Sequence, residues 1–389
     1  FVGVGNRGGQ LIGAACNHAD MQAAAVCDVY APYREKWAAE LKCPGYGDWR
    51  ELLDKKDVDA IVIAAPDHWH ALMTIAACRA GKDVYVEKPL SYTIREGRKM
   101  VEVARETKRI VQVGTQRRSS PMYAQLGEPV RGGKVGKVTV SRAYRISNMA
   151  PAGIGNAADS IPPADLDWDM WLGPRPERAF NETIAPYKFR WWKEYSSQTA
   201  NWGVHYFDLL RWLLGETAPV SISAHGGVFA VKDARTIPDT MESIYEYGSG
   251  HLTMFGQYEA SGNSMFPYGE CELRGTDGTI YAGNRGYQIR QEKPGQFQED
   301  GDRGEPVEVK VDEGDVTVQH MRNILDCIKS RKTPNADVEE GHRSTTIAHL
   351  GNIALWAKSR LEWDRVAERI TNKEAANRYL EYEYRKPWT

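Results

Sequence analysis

The 389-residue sequence predicts an α/β protein in two parts. Residues 1–120 read as a doubly wound parallel sheet, and 121–389 as an α+β domain with a large, mainly antiparallel open sheet. Three observations carry this. The chain is longer than one hydrophobic core comfortably serves. Through about residue 120, short apolar runs alternate with amphipathic stretches, the pattern of βαβ units. From Val220 to Ile289, short alternating runs are punctuated by Gly, Asn and Asp, which suits an antiparallel sheet with one uncovered face.

The apolar runs of the first part are Phe1-Val2, Ala23 to Cys27, Ala60 to Ala65, Val84 to Val86 and Ile110 to Val113. Between them Glu51 to Lys55, Ala71 to Ala80 and Ile94 to Thr107 read as helices, the longer two with apolar residues at three- and four-residue spacing. Residues 128–145 end in an alternating pattern that predicts a half-buried strand opening the second part. A loop rich in Pro, Gly, Ala and Asp follows from Met149 to about Asp165. Asn201 to Leu214 is spaced as a helix, and Val318 to Ser330 and Gly341 to Arg360 are expected to be helices closing the second domain. An opening strand of ordinary length has about five residues, so the sequence is expected to lack its natural start and any signal peptide with it. The expected location is cytoplasmic, with export left open.

Composition narrows the function classes. A net charge of -2 supplies no broad positive field for a phosphate backbone, and no basic run is interleaved with aromatics, so nucleic acid is not an expected partner. No stretch approaches the roughly eighteen consecutive apolar residues of a membrane span, so no membrane association is expected. The six cysteines are scattered without a C-x-x-C pair, which fits neither a disulfide framework nor a zinc knuckle. His320, His342 and His349 fit no ligand spacing, and no metal is expected. Twelve tryptophans and nineteen tyrosines suit stacking on sugar C–H faces as well as core filling.

Gly3-Val4-Gly5-Asn6-Arg7-Gly8 matches G-x-G-x-x-G between an apolar strand and a helix start. Such glycines permit a tight turn and close backbone approach to a pyrophosphate, which the helix N-terminus then faces. Gly3, Gly5, Asn6, Arg7 and Gly8 are therefore candidate cofactor residues. Twenty residues after Gly8, Asp28 ends the second apolar run, placed to accept hydrogen bonds from ribose hydroxyls. A carboxylate there repels a 2′-phosphate, so NAD is expected over NADP. Ala65, Pro66, Asp67 and His70 follow the third strand, and Glu87-Lys88-Pro89 follows the next. Both sit at carboxyl ends of parallel strands, where open α/β sheets bind ligands.

With these motifs the whole chain closely resembles the Gfo/Idh/MocA oxidoreductases, a family that includes glucose–fructose oxidoreductase and inositol dehydrogenase. The resemblance implies that Glu-Lys-Pro puts Lys88 near the nicotinamide and the substrate hydroxyl, with Glu87 beside the cofactor. Desolvation there lowers a lysine pKa and suits it to proton relay. The family's Asp-x-x-x-His signature appears here as Asn201-Trp202-Gly203-Val204-His205. Asparagine cannot ionise, so Asn201 is left to hydrogen-bond a sugar hydroxyl or orient the imidazole. His205 is expected as acid/base or as a structural histidine, and Asp208 as its substitute partner or as a surface or capping residue. Tyr187, Arg190, Trp191 and Trp192 resemble the family's aromatic loop lining the substrate cleft. Gln116 and Arg117 border cofactor and substrate or serve structure. Asp167 to Pro174 looks like a segment of one bacterial branch, where it is chiefly structural.

The resemblance implies three functions, in this order: an NAD-dependent dehydrogenase of sugar, polyol or glycoside carbinols; a redox-neutral NAD-dependent glycosidase working by oxidation, elimination and re-reduction; and a non-catalytic dinucleotide- and sugar-sensing regulator. Oligomerisation through the open sheet face, as a dimer or tetramer, is expected.

Overall fold

A computed structural model describes residues 1–297 and 305–388. Strands β1 (Val26–Cys27), β2 (Gly45–Tyr46), β3 (Ala60–Ile63), β4 (Asp83–Val86) and β5 (Val111–Val113) run parallel, β3, β4 and β5 as neighbours and β1 beside β2. Val2 joins the two groups by single bridges to Cys27 and Ile63. Side chains alternate across this sheet as the period of two demands. Ile61, Ile63, Val84 and Val86 pack with helices α4 (His70–Arg79) and α5 (Ile94–Glu106). Val62 and Tyr85 pack on the opposite face, with Leu11, Ala14 and Ala15 of α1 (Asn6–Cys16). Helices α2 (Ala31–Leu41) and α3 (Arg50–Leu53) complete this part. Thr93 and Glu96 close a capping box at the start of α5, which fixes where the chain turns after Lys88.

Helix α6 (Pro121–Arg131) falls partly where the sequence suggested a loop and strand approach. Pro129 inside it argues against a helix, but Ser120 caps it by accepting from Tyr123 N at 3.2 Å, and Met122, Tyr123 and Leu126 enter the core. Strand β6 (Val138–Asn148) then opens the large sheet. After the short helix α7 (Trp168–Leu172) and helix α8 (Val204–Leu214) come β7 (Ser221–Gly227), β8 (Thr240–Tyr247), β9 (His251–Tyr258), β10 (Ala260–Ser261), β11 (Cys271–Gly275), β12 (Gly278–Gly283), β13 (Gly286–Gln291) and β14 (Val307–Lys310). Helices α9 (Val316–Ser330) and α10 (Val338–Ala357) and strands β15 (Leu361–Asp364) and β16 (Arg369–Ile370) finish the chain.

The described strands of the sheet run β14-β13-β12-β11-β6-β9-β8-β7-β15-β16, with β10 beside β6. β6 and β9 pair in parallel and the other neighbours are antiparallel. Its inner face, including Ala143, Met241, Tyr245 and Phe255, buries against α8 and α10. The outer face leaves Ile244 and Leu252 exposed.

One expectation is corrected. Helix α9 does not close the second domain. Its Met321 and Ile324 pack against Leu11 and Tyr85, covering the parallel sheet's second face, and Gln112 bonds through its side chain to His320 O at 2.9 Å. Helix α10 spans both parts, with Val338 in the parallel sheet's core and Ile347 and Leu350 in the other.

Residues 149–200 form a small lobe with its own aromatic core, in which Trp168 and Trp171 stack at 4.8 Å. Backbone bonds tie this lobe over the end of β1: Ala31 N donates to Asp165 O at 2.9 Å and Asp167 N to Val29 O at 3.0 Å. No helix among the described residues is long and apolar enough to cross a membrane.

Candidate active site

The glycine turn is built as a cradle. Gly3 has φ of +76°, and a Cβ there would lie 2.6 Å from Ala65 N; a Cβ on Gly8 would lie 2.0 Å from Gly3 O. Helix α1 starts at Asn6, inside the motif, so its free N–H groups face the space the glycines leave. That cleft is lined by Gly3, Gly5, Asn6, Arg7, Asp28, Ala65 and Pro66 on one side, and on the other by Met170, Trp171, Tyr187, Phe189 and Arg190 of the lobe. The residues present fit a dinucleotide: without a Cβ at Gly3 or Gly8 the turn closes against Ala65 and against its own backbone, which leaves the start of α1 open to the cleft beside Asp28. Gly8→Ala is expected to weaken NAD binding at least tenfold and to lower stability by about 1–3 kcal/mol, checked by NADH titration and urea unfolding.

Asp28 stands at the end of β1, with its two oxygens accepting from Val4 N at 2.8 Å and Tyr30 N at 2.9 Å. Burial pushes its pKa up to about 6. Asp67 is buried, accepts from the Ser196 hydroxyl at 2.5 Å, and is also shifted up by burial. The His70 ring nitrogens face Pro89 O at 2.7 Å and Ala65 O at 2.8 Å, which ties the chain after β3 to the chain after β4.

Arg7 and Glu87 meet each other. Arg7 Nε donates to Glu87 Oε1 at 2.8 Å, and Lys88 N to Glu87 Oε2 at 3.2 Å. Arg7 still lines the cleft, whereas the Glu87 carboxylate faces protein, with a side chain 5% exposed. It acts on the cleft through Arg7 rather than by contact.

Lys88 reaches across to the second part of the chain. Its Nζ donates to Asn201 O at 2.7 Å and Asn201 Oδ1 at 2.8 Å, and burial lowers its pKa to about 8. Asn201 sits in a π-helical turn, Thr199–Gly203, that runs directly into α8, an irregularity frequent at functional sites. His205, on the first turn of α8, is buried with Nδ1 lacking any hydrogen-bond partner. Burial, aided by Arg117 and Lys88, holds its pKa well below the usual imidazole value, so the ring is neutral. Asp208 is not its partner: that carboxylate accepts from Arg118 at 2.8 and 2.9 Å and from the Ser344 hydroxyl at 2.8 Å.

Other expected substrate residues divide. Tyr187 and Arg190 line the cleft, with Arg190 Nη1 on Tyr187 O at 2.8 Å and its guanidinium over the Tyr187 and Phe189 rings. Trp191 and Trp192 turn away: Trp191 donates to Glu259 at 3.0 Å, and the buried Trp192 donates to Thr183 O at 2.6 Å, because each indole N–H requires an acceptor in the lobe core. Arg117 is bound bidentately by Glu270, which also accepts from Tyr123, so its hydrogen-bonding edge is occupied. Gln116 follows β5 with a buried, unpartnered Oε1. Phe189 lines the cleft with the rest of the aromatic loop, and sequence reasoning missed the cleft side chains Trp69, Met170 and Trp171. The run Asp167 to Pro174 was the visible signal for Met170 and Trp171, and Trp171 O also accepts from His68 and Trp69, both at 3.0 Å. No group of three metal-ligating side chains occurs among the described residues.

Residues 1–115 match the oxidoreductase family, NAD-binding Rossmann fold, and residues 137–389 its C-terminal alpha/beta domain. The scyllo-inositol 2-dehydrogenase (NAD(+)) of Bacillus subtilis is 27% identical over 65% of this chain, an alignment spanning 61% of that relative's length. The myo-inositol 2-dehydrogenase of Thermotoga maritima is 24% identical over 82% of this chain and 84% of its own. The crystal structure of the WlbA dehydrogenase from Bordetella pertussis, in complex with NADH and UDP-GlcNAcA, has the same fold, with a TM-score of 0.69 at 19% identity over 93% of this chain and 97% of that one. Glycine cradle, strand-end lysine and open sheet thus occur together in a chain that belongs to the Gfo/Idh/MocA oxidoreductase family.

Proposed function

We propose that the protein is an NAD-dependent dehydrogenase of a carbohydrate or polyol CH–OH group. The observation that carries this is the Lys88 amine, held by two hydrogen bonds at Asn201, with a pKa lowered to about 8 and beside a neutral His205. Relatives named for oxidising inositols support a secondary alcohol as the reacting group.

NAD held along Gly3, Gly5, Asn6 and Asp28 would supply the hydride acceptor. The chain's own residues supply orientation and proton transfer. The substrate hydroxyl donates to neutral His205, whose weak basicity passes the proton onward, and neutral Lys88 holds it. Asn201 keeps the amine fixed in both protonation states by accepting from it. Tyr187 and Arg190 line the cleft from the lobe side.

Asp28 makes NAD the preferred cofactor. With its pKa raised from 3.8 to about 6, the carboxylate is charged at neutral pH and repels a 2′-phosphate, and it loses that charge as pH falls through 6. The NAD-over-NADP affinity ratio is therefore expected to shrink between pH 7.5 and 5, read by NADH and NADPH fluorescence titrations.

Denaturing the purified protein and weighing the released small molecules tests the cofactor, which the lobe strapped over Val29 and Ala31 is expected to retain. A sugar, polyol and aryl-glycoside panel read for NADH and for free aglycone tests the reaction. NADH formation with a free sugar or polyol supports the dehydrogenase. Aglycone release without net NADH overturns it in favour of a redox-neutral glycosidase, and silence in both channels favours a regulator.

A further inference from the structure

Several arginines with buried or largely buried side chains are matched by carboxylates. Arg7 has Glu87, Arg117 has Glu270, Arg118 has Asp208, and Arg235 has Asp233 and Glu259. Arg145 is different, as is Arg175, which stacks on Tyr92 and Tyr382 away from Asn201 and His205. Arg145 lies on β6, and its guanidinium stacks 4.1 Å from the ring centre of Trp202, the residue between Asn201 and Gly203 and three before His205. Its Nε is buried and has no hydrogen-bond partner, and no ion pair to it occurs among the described residues. Glu259, whose carboxylate feels the Arg145 charge, is already taken by Arg235 at 2.6 Å and by the Trp191 N–H at 3.0 Å. Arg190, in the wall of the cleft, donates to the Tyr187 carbonyl at 2.8 Å and has no ion pair among the described residues.

A guanidinium with a desolvated N–H and no acceptor is costly, and a planar oxyanion restores two acceptors at once. Trp202 fixes the guanidinium plane, so little side-chain entropy remains to be lost on binding. Asn201 fits the same pattern, because a carboxylate at that position would repel an acidic substrate beside Lys88.

We infer that Arg145, stacked on Trp202 next to Asn201, holds an oxyanion on the carbohydrate, so that the substrate is an acidic sugar rather than a neutral one. The inference rests on the dehydrogenase reading for the reaction but not for binding, which separates the two tests. A carboxylate and a phosphate share this chemistry, and the probes distinguish them.

The experiment presents the full-length protein, with its NAD, with glucuronate, glucose 6-phosphate and glucose, together with the galacto and manno counterparts of each. Binding is read by tryptophan fluorescence and turnover by NADH. The expected result is that one acidic member of a matched set exceeds its neutral counterpart in affinity and in kcat/KM. In Arg145→Gln the acid-to-neutral ratio should fall roughly 10- to 100-fold, chiefly through KM, with partial recovery in Arg145→Lys, which keeps charge but not the fork. Preference for uronates identifies a carboxylate and preference for sugar phosphates a phosphate, both in support. Acidic binding with the same Arg145 dependence but no NADH retains the inference and overturns the dehydrogenase. Equal or better use of the neutral sugars, a ratio unmoved by Arg145→Gln, or no response to any acidic member at millimolar concentration overturns the inference.

Discussion

Replacing Lys88 by methionine is expected to lower kcat for carbinol oxidation roughly 100- to 10,000-fold, the range ascribed to a positioned acid–base group. The pH profile carries the more specific test. Burial lowers the Lys88 pKa from 10.5 to about 8, with Arg190 and Arg7 pushing the same way and Glu87 and Asp67 opposing. Below pH 8 the amine already holds a proton and cannot take the substrate's, so kcat/KM for oxidation should rise about tenfold per pH unit and level off above 8. Carbonyl reduction needs the ammonium and should show the opposite limb. His205 cannot produce this limb, since its pKa is held well below 6.5. In Lys88→Met the limb near pH 8 should vanish in both directions. A residual rate that keeps it would assign the titration to another group and reduce Lys88 to a tether for Asn201.

The contrast between Lys88 and the residues around it explains what the sequence could disclose. Lys88 was legible because its position depends on local order: an apolar strand, its carboxyl end, then the tripeptide. The glycine turn and Asp28 were legible for the same reason, since φ at Gly3 and the length of β1 are decided within a few residues. Arg117 was not, because the carboxylate that takes it, Glu270, is 153 residues away and no spacing rule reaches that far. Trp191 and Trp192 had the composition of a sugar platform. Their indole N–H groups found Glu259 and the Thr183 carbonyl in the lobe core, partners set only by tertiary packing. Helix α9 followed its periodicity correctly, yet periodicity names a buried face and not what covers it, and Met321 and Ile324 cover the parallel sheet. Arg145 gave no signal, because an alternating strand reads alike whether its inward polar residue is paired or waiting for a ligand.

Arg7→Met is expected to destabilise the protein by about 3–5 kcal/mol at neutral pH, a larger effect than loss of a surface pair, because it strands a buried charge. Glu87 sits 5% exposed, with Arg7 at 23%, and a Cβ on Gly114 would lie 2.8 Å from its carboxylate, so the pocket has no room for a compensating water shell. Without Arg7 the remaining donors are Lys88 N at 3.2 Å and the Tyr85 hydroxyl at 3.4 Å. The sign with pH follows from the wild-type shift. Burial alone would raise the Glu87 pKa, and the Arg7 charge with Lys88 brings it below 4.5. The carboxylate therefore stabilises the native state above pH 4.5 and loses that contribution as pH falls through the lowered folded value. In Arg7→Met burial is unopposed by the guanidinium, the carboxyl protonates at higher pH, and the variant's deficit should narrow on acidification. Urea unfolding of both proteins at pH 7.5 and 4.5 measures this. A deficit equal at the two values would mean that Arg7 contributes packing rather than charge, and that Glu87 is neutral beneath the glycine turn.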